Sequence, residues 1–108
     1  MSDFETVSLD QLPEGALILD VRKDQEWAEG HIEGALHIPL DHLPARFAEL
    51  DPDQDTYILC RTGGRSFRAS QWLAAQGYSV FNIAGGMGAW QDAERPMVSE
   101  TGAPPQVR

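Results

Sequence analysis

One cysteine stands among the 108 residues, and its neighbours decide what chemistry it can do. Cys60 opens the run Cys60-Arg61-Thr62-Gly63-Gly64-Arg65-Ser66, between an apolar segment with strand character and a segment with helical period. That is where an α/β sheet presents its chemistry, beyond the carboxyl ends of the strands. Successive glycines carry no Cβ and tolerate positive φ, so the chain can turn tightly there and aim several N–H groups into one small bowl. The helix start adds unpaired amides and the positive end of its dipole. A free thiol with a pKa of about 8.5 is only about 3% thiolate at pH 7, and a lowering of about two units, worth about 2.7 kcal/mol, makes it mostly thiolate. A helix N-terminus supplies about 0.5 to 2 kcal/mol, and a guanidinium such as Arg61 or Arg65 is expected to supply the remainder even after solvent screening. The run therefore reads as an anion cradle around a nucleophilic thiol, against the alternative of an inert buried cysteine.

Other chemistry drops away. A lone cysteine rules out an internal disulfide, a CxxC redox couple and a cysteine-cluster zinc site. His31, His37 and His42 lie six and five residues apart, without the three- or four-residue offset that puts two ligands on one helical face. No metal and no cofactor are expected. The formal net charge of −9, from 8 basic and 17 acidic residues, speaks against nucleic acid. Apolar runs such as Ala16-Leu17-Ile18-Leu19 are far too short to span a membrane. The N-terminus Met1-Ser2-Asp3-Phe4-Glu5 lacks a basic segment followed by an apolar one, so a cytoplasmic location is expected. The charge is nonetheless uneven: residues 56–91 hold Arg61, Arg65 and Arg68 and no carboxylate, so they carry +3 against −12 in the other 72. The site lies in the cationic third.

Positioning such a loop takes strands and helices. With 42% hydrophobic residues the chain has room for one domain with a core. Short apolar runs alternate with helical patterns, the signature of an α/β domain with a largely parallel sheet. Residues 16–21, 36–39, 56–60 and 80–83 read as strands, and 5–8 as an edge strand followed by a turn at 10–14. Helices are expected near 25–30, 43–50, 65–76 and 87–93. The third is the best marked: Phe67, Ser70, Leu73 and Ala74 repeat at three- and four-residue offsets, and Gly77 supplies a stop. The domain is expected to span residues 1–98, with 99–108, rich in Gly and Pro, as a flexible tail.

Four segments carry a resemblance to a known family: Asp20-Val21-Arg22; Glu26-Trp27-Ala28-Glu29-Gly30-His31-Ile32-Glu33-Gly34-Ala35 with Ile38-Pro39; Cys60 to Ser66; and Gly85-Gly86-Met87-Gly88-Ala89-Trp90. In this order, over residues 20–90, they resemble the rhodaneses, the sulfurtransferases, and specifically the small single-domain members. The resemblance implies a mostly parallel sheet of about five strands with helices on both faces. It also implies that Cys60 takes a sulfane sulfur from thiosulfate or a persulfide, holds it as a persulfide on the amides of Arg61, Thr62, Gly63, Gly64, Arg65 and Ser66, and passes it to cyanide or a thiol. With no second cysteine the acceptor is external, either a small molecule or a protein. Arg61 and Arg65 are the expected anion contacts, and Arg68 part of the field. Asp20 and Arg22 are expected to hold neighbouring loops, with an ion pair to Glu26. His31 is expected to be structural and Trp90 to cover the core.

Two other readings stand beside this one. A Cys-based phosphatase needs an arginine after five intervening residues, so that the guanidinium clamps two phosphoryl oxygens. Here that position is Ser66, and the loop is one residue short. A non-catalytic binding module would have no need of an anion cradle. Relatives that use 3-mercaptopyruvate place small residues after the cysteine, whereas Arg61 and Thr62 lean toward thiosulfate or a protein persulfide.

Overall fold

Short strands that are apolar on both faces can be covered only if helices return the chain to run each strand parallel to the last. In the computed structural model, which describes residues 3–107, five strands do so. Met1 and Ser2 of the acidic N-terminus and Arg108 of the tail lie outside the described residues. The strands β1 (Glu5–Val7), β2 (Leu17–Asp20), β3 (Leu36–His37), β4 (Thr56–Leu59) and β5 (Val80–Ile83) pair in the order β1-β5-β4-β2-β3, all parallel. The helices are α1 (Asp24–Glu29), α2 (Leu43–Arg46), α3 (Gly64–Ala75) and α4 (Gly86–Asp92).

The central strand β4 shows why both faces must be covered. Alternate side chains leave a strand on opposite faces. Ile58 and Cys60 join Leu19, Val21, Leu43, Leu50, Ala69 and Leu73 in one core, under α2 and α3. Tyr57 and Leu59 join Ile18, Ile83, Met87 and Trp90 in the other, under α4. Trp90 covers the core as expected, its indole N–H donating to the Pro96 carbonyl at 2.9 Å. No helix among the described residues is long and apolar enough to cross a membrane.

Three segments differ from the sequence reading. The helix expected over 43–50 is one α turn with Pro44 at its start, followed by a 3-10 turn, Phe47–Glu49. Arg46 leaves helical geometry at φ −123° and ψ 0°, and the Phe47 ring packs edge-on against Trp72 and Tyr78, a tertiary contact that decides the path. β3 stops at His37, although the Ile38 and Leu40 amides still bond to the β2 side of the sheet. Pro39 has no N–H to carry a regular ladder further. Of residues 99–108, expected as a flexible tail, the described part, 99–107, lies along α1. The Glu100 amide donates to the Ala28 carbonyl at 2.8 Å and the Gln106 amide to that of Glu29 at 2.9 Å, while Val107 packs against the α4-side core.

Candidate active site

From β2 the chain moves outward to β3, whereas β4 lies on the other side of β2, so the strand order reverses between β2 and β4. Loops diverge at such a switch point and leave a crevice at the carboxyl ends of the strands. Cys60 follows β4 directly, and Asp20 to Arg22 close β2 beside it. The two polar segments of the sequence therefore face one crevice.

The cysteine loop is held from behind. The amide of Met87 donates to the Cys60 carbonyl at 2.8 Å and that of Gly88 to the Arg61 carbonyl at 2.9 Å, so the N-terminus of α4 takes up the loop's acceptors. A Cβ at Gly86, where φ is +50°, would run into the carbonyl oxygen of Cys60. This close approach explains why Gly85-Gly86-Met87-Gly88 accompanies the cysteine run. At Gly63, φ is +124°, which lets the chain turn into α3 and aim its amide at the sulfur. That amide donates to Cys60 Sγ at 3.1 Å.

Cys60 is 1% exposed, so only a narrow group can reach its sulfur. Burial is the largest single influence on the thiol and pushes its pKa up. The Ser66 hydroxyl and the amides of Ser66, Gly63 and Thr62 together outweigh it and hold the thiol below its ordinary value. Hydrogen bonds thus take the part that sequence assigned to a guanidinium. Arg65 is engaged elsewhere: its guanidinium grips Glu26 of α1 with N–O distances of 2.6 and 2.9 Å. The same Glu26 carboxylate accepts from the Lys23 amide at 3.0 Å. That bond to Arg65 is the main reason the Glu26 pKa falls to about 2. A carboxylate from outside the cationic third therefore sits at the loop, and the expected segregation of charge does not survive folding.

The buried pair at the end of β2 also departs from expectation. Arg22 pairs with Asp20, Nη2 to Oδ2 at 2.7 Å, and both side chains are wholly buried. Toward Glu26 it makes only a 3.4 Å hydrogen bond to the backbone carbonyl, and it reaches the Gly30 carbonyl at 2.7 Å. Arg22 thereby ties β2 to α1, which in turn presents Glu26 to Arg65. His31 is held against α1 by Trp27. Its ring stacks on Trp27 with centroids 3.7 Å apart, and Nδ1 lies 2.8 Å from the Trp27 carbonyl; His37 stacks on the indole at 4.6 Å.

Outside the loop, Lys23, Gln25, Glu26, Arg61 and Arg65 line a cleft of about 380 Å³. A wider groove of about 660 Å³, lined by Leu40, Leu43, Arg68 and Trp72 among others, runs beside α3 and includes no residue of the cysteine loop. Arg68 belongs to that groove. Three contributors escaped the sequence reading. Lys23 brings a third cation to the cleft, beside Arg61 and Arg65, and Glu26 bonds Arg65 instead of Arg22. Asn82, 4% exposed on β5, accepts from the Ser66 hydroxyl at 2.6 Å. Its signal was present: Asn82 is the polar residue in the run Val80-Phe81-Asn82-Ile83.

The family model of the rhodanese-like domain matches residues 6–93. A sulfurtransferase of Allochromatium vinosum is 37% identical over 106 residues, which cover 94% of this chain and 99% of the relative. The thiosulfate sulfurtransferase GlpE of Pseudomonas entomophila is 35% identical, over 84% of this chain and 88% of its own. The crystal structure of a rhodanese-related protein from Thermoplasma volcanium superposes with a TM-score of 0.83 at 26% identity, covering 88% of this chain and 98% of that one. A strand-to-helix cysteine loop at the switch point, on a fold and a sequence shared over nearly the full length of these relatives, places the chain in the rhodanese family of sulfurtransferases.

Proposed function

We propose that Cys60 is the nucleophile of a ping-pong sulfur transfer, with thiosulfate or a small persulfide as donor and cyanide or a thiol as acceptor. One observation carries the reading most: the Gly63 amide and the Ser66 hydroxyl converge on Sγ, at 3.1 and 3.4 Å, in a loop whose other amides also favour its anion. In the first half-reaction the thiolate attacks the outer sulfur of thiosulfate. The S–S bond of the donor breaks, sulfite leaves with the bonding pair, and Cys60 becomes a persulfide anion. In the second, cyanide attacks the outer sulfur and departs as thiocyanate, or a thiolate departs as a persulfide, and the Cys60 thiolate returns. Amides fixed before the donor arrives favour the anionic intermediate without reorganising, the logic of an oxyanion hole.

The donor's charge is met at the cleft. Because Glu26 occupies Arg65, the cations left to receive an approaching anion are Arg61 and Lys23, which make no ion pair among the described residues. Thr62 and Gly64 serve through the backbone. A phosphoryl group would find no clamp: Ser66 is buried where a phosphatase needs arginine, and Arg65 is turned to Glu26. Thiosulfate is favoured among donors by the two free cations at the mouth and by the relative that bears its name. A protein acceptor and a cytoplasmic setting belong to the same reading, since a lone thiol that must cycle through a persulfide needs reduced surroundings.

The test is a rate comparison of thiosulfate, 3-mercaptopyruvate, glutathione persulfide and an aryl phosphate with the same protein. The expected result is thiocyanate formation fastest with thiosulfate or the persulfide, with parallel double-reciprocal lines. Phosphate release without sulfur transfer would overturn it.

A further inference from the structure

The Ser66 hydroxyl holds a single hydrogen and has three acceptors within reach. Asn82 Oδ1 lies at 2.6 Å, the Gly63 carbonyl at 3.2 Å and Cys60 Sγ at 3.4 Å. With that hydrogen on Asn82, Ser66 offers a lone pair to the sulfur and receives the Cys60 S–H, an arrangement that suits the neutral thiol. The amide of Asn82 is held in turn, its Nδ2 donating to Thr6 Oγ1 at 3.4 Å. Thr6 sits opposite Asn82 in the register of β1 and β5 and is exposed at the sheet edge. A chain of four polar groups thus runs from the surface, Thr6 to Asn82 to Ser66 to Cys60, and Ser66 and Asn82 are buried within it.

Each link in this chain can both donate and accept. When Cys60 loses its proton, its sulfur accepts only, so the Ser66 hydrogen must turn toward it. Asn82 Oδ1 would then stand buried without a donor, which is unfavourable. A half-turn of the Asn82 amide removes that penalty: Nδ2 donates to Ser66, and Oδ1 accepts the hydroxyl hydrogen of Thr6. Every bond is remade with its direction reversed and no group is orphaned.

We propose that Asn82 and Thr6 are positioning residues that set the direction of the Ser66 hydroxyl, so that the chain reverses with the charge on the Cys60 sulfur. Resting on the persulfide reading above, the same logic gives a cycle. The free thiolate carries its charge on Sγ and draws the Ser66 hydrogen. The persulfide carries it on the added outer sulfur, within the loop amides, and releases Ser66 back to Asn82. The relay thus faces one way in the loaded protein and the other in the unloaded thiolate. Of the other charges near Cys60, Arg65 is on Glu26 and Arg22 is on Asp20, while Arg61 makes no ion pair among the described residues and is exposed at the rim.

The experiment follows the side-chain amide resonances of Asn82 while Cys60 is titrated with no sulfur donor present. The Cys60 midpoint is read independently from the pH dependence of iodoacetamide alkylation. The relay is expected to shift the Asn82 resonances with that same midpoint, and to leave them still in Ser66→Ala. Asn82→Ala is expected to lower the thiolate fraction on the acid side of the midpoint several-fold, because Ser66 then turns to the Gly63 carbonyl. The same change made in Ser66→Ala is expected to do nothing further. Resonances that ignore the titration, or an Asn82→Ala effect of equal size in both backgrounds, would overturn the relay. The resonance arm uses the unmutated protein and so survives a variant that fails to fold. A donor-loaded sample separates the two proposals: if thiosulfate leaves no sulfur on Cys60 the persulfide reading fails, while the titration still decides the relay.

Discussion

The carboxyl ends of β2 and β4 lie side by side, and each buries a polar group by a different means. At β2, Asp20 and Arg22 form a fully charged pair with four donor contacts to one carboxylate, from the Arg22 amide, Nε and Nη2. At β4, Cys60, Ser66 and Asn82 form a neutral chain. Charge locks the first: neither partner can change state without stranding the other in the core. In the relay proposed above, neutrality frees the second to follow the sulfur through thiol, thiolate and persulfide. On the proposed reading the difference separates a device that fixes α1 in place from one that does chemistry, although both are polar, buried and at neighbouring strand ends.

Substitutions can break this contrast. The largest effect falls on activity: Cys60→Ser should lower sulfur transfer by on the order of a thousandfold or more, while urea unfolding shows a stability loss of only about 1–2 kcal/mol. The β2 pair should behave the opposite way. Arg22→Met strands the Asp20 carboxylate and should cost about 3–5 kcal/mol in the same assay, with Asp20→Asn added to it recovering part of the loss. A loss below about 1 kcal/mol for Arg22→Met would remove the distinction between the two regions. Gly86→Ala sits between them. It presses on the Cys60 carbonyl and forces a side chain into φ +50°, so a stability loss of about 1–3 kcal/mol and a raised alkylation midpoint are expected together.

Glu26 sharpens the comparison with smaller effects, since it joins the two regions through α1. Its pKa is depressed to about 2, first by the Arg65 hydrogen bond, from an ordinary 4.5. A depressed carboxylate contributes stability that is whole above the ordinary value and is lost as pH falls from about 4.5 through about 2. Glu26→Gln should therefore show a shallower loss of stability across that window by urea unfolding. Freeing Arg65 should also lower the KM for thiosulfate about two- to fivefold, the scale of a partly exposed ion pair. An unchanged KM would assign anion recognition to Arg61 and Lys23 alone.

Much of this molecule is legible in its sequence where short-range rules dominate. Short apolar runs place β2, β4 and β5 to within a residue or two, and Gly77 closes the helical pattern just past the end of α3. The cysteine loop is legible for the same reason, because the strand end, the glycine turn and the helix start are contiguous. What was not legible depends on contacts distant in sequence. Arg65 meets Glu26 across 39 positions, so counting charges along the chain could not reveal that the cationic third imports a carboxylate. Asn82 meets Ser66 across 16 and Thr6 across 76, and only the sheet order β1-β5-β4 brings them to Cys60. The path of residues 99–107 hangs on backbone bonds to α1 that no local pattern encodes.

The central claim is that Cys60 itself carries the sulfur between two half-reactions. Intact-mass spectrometry of the protein mixed with thiosulfate tests it most directly. The account expects a gain of one sulfur atom that maps to Cys60, disappears on adding cyanide as thiocyanate forms in equal amount, and is absent from Cys60→Ser. No gain in mass, or one that persists in Cys60→Ser, would contradict it.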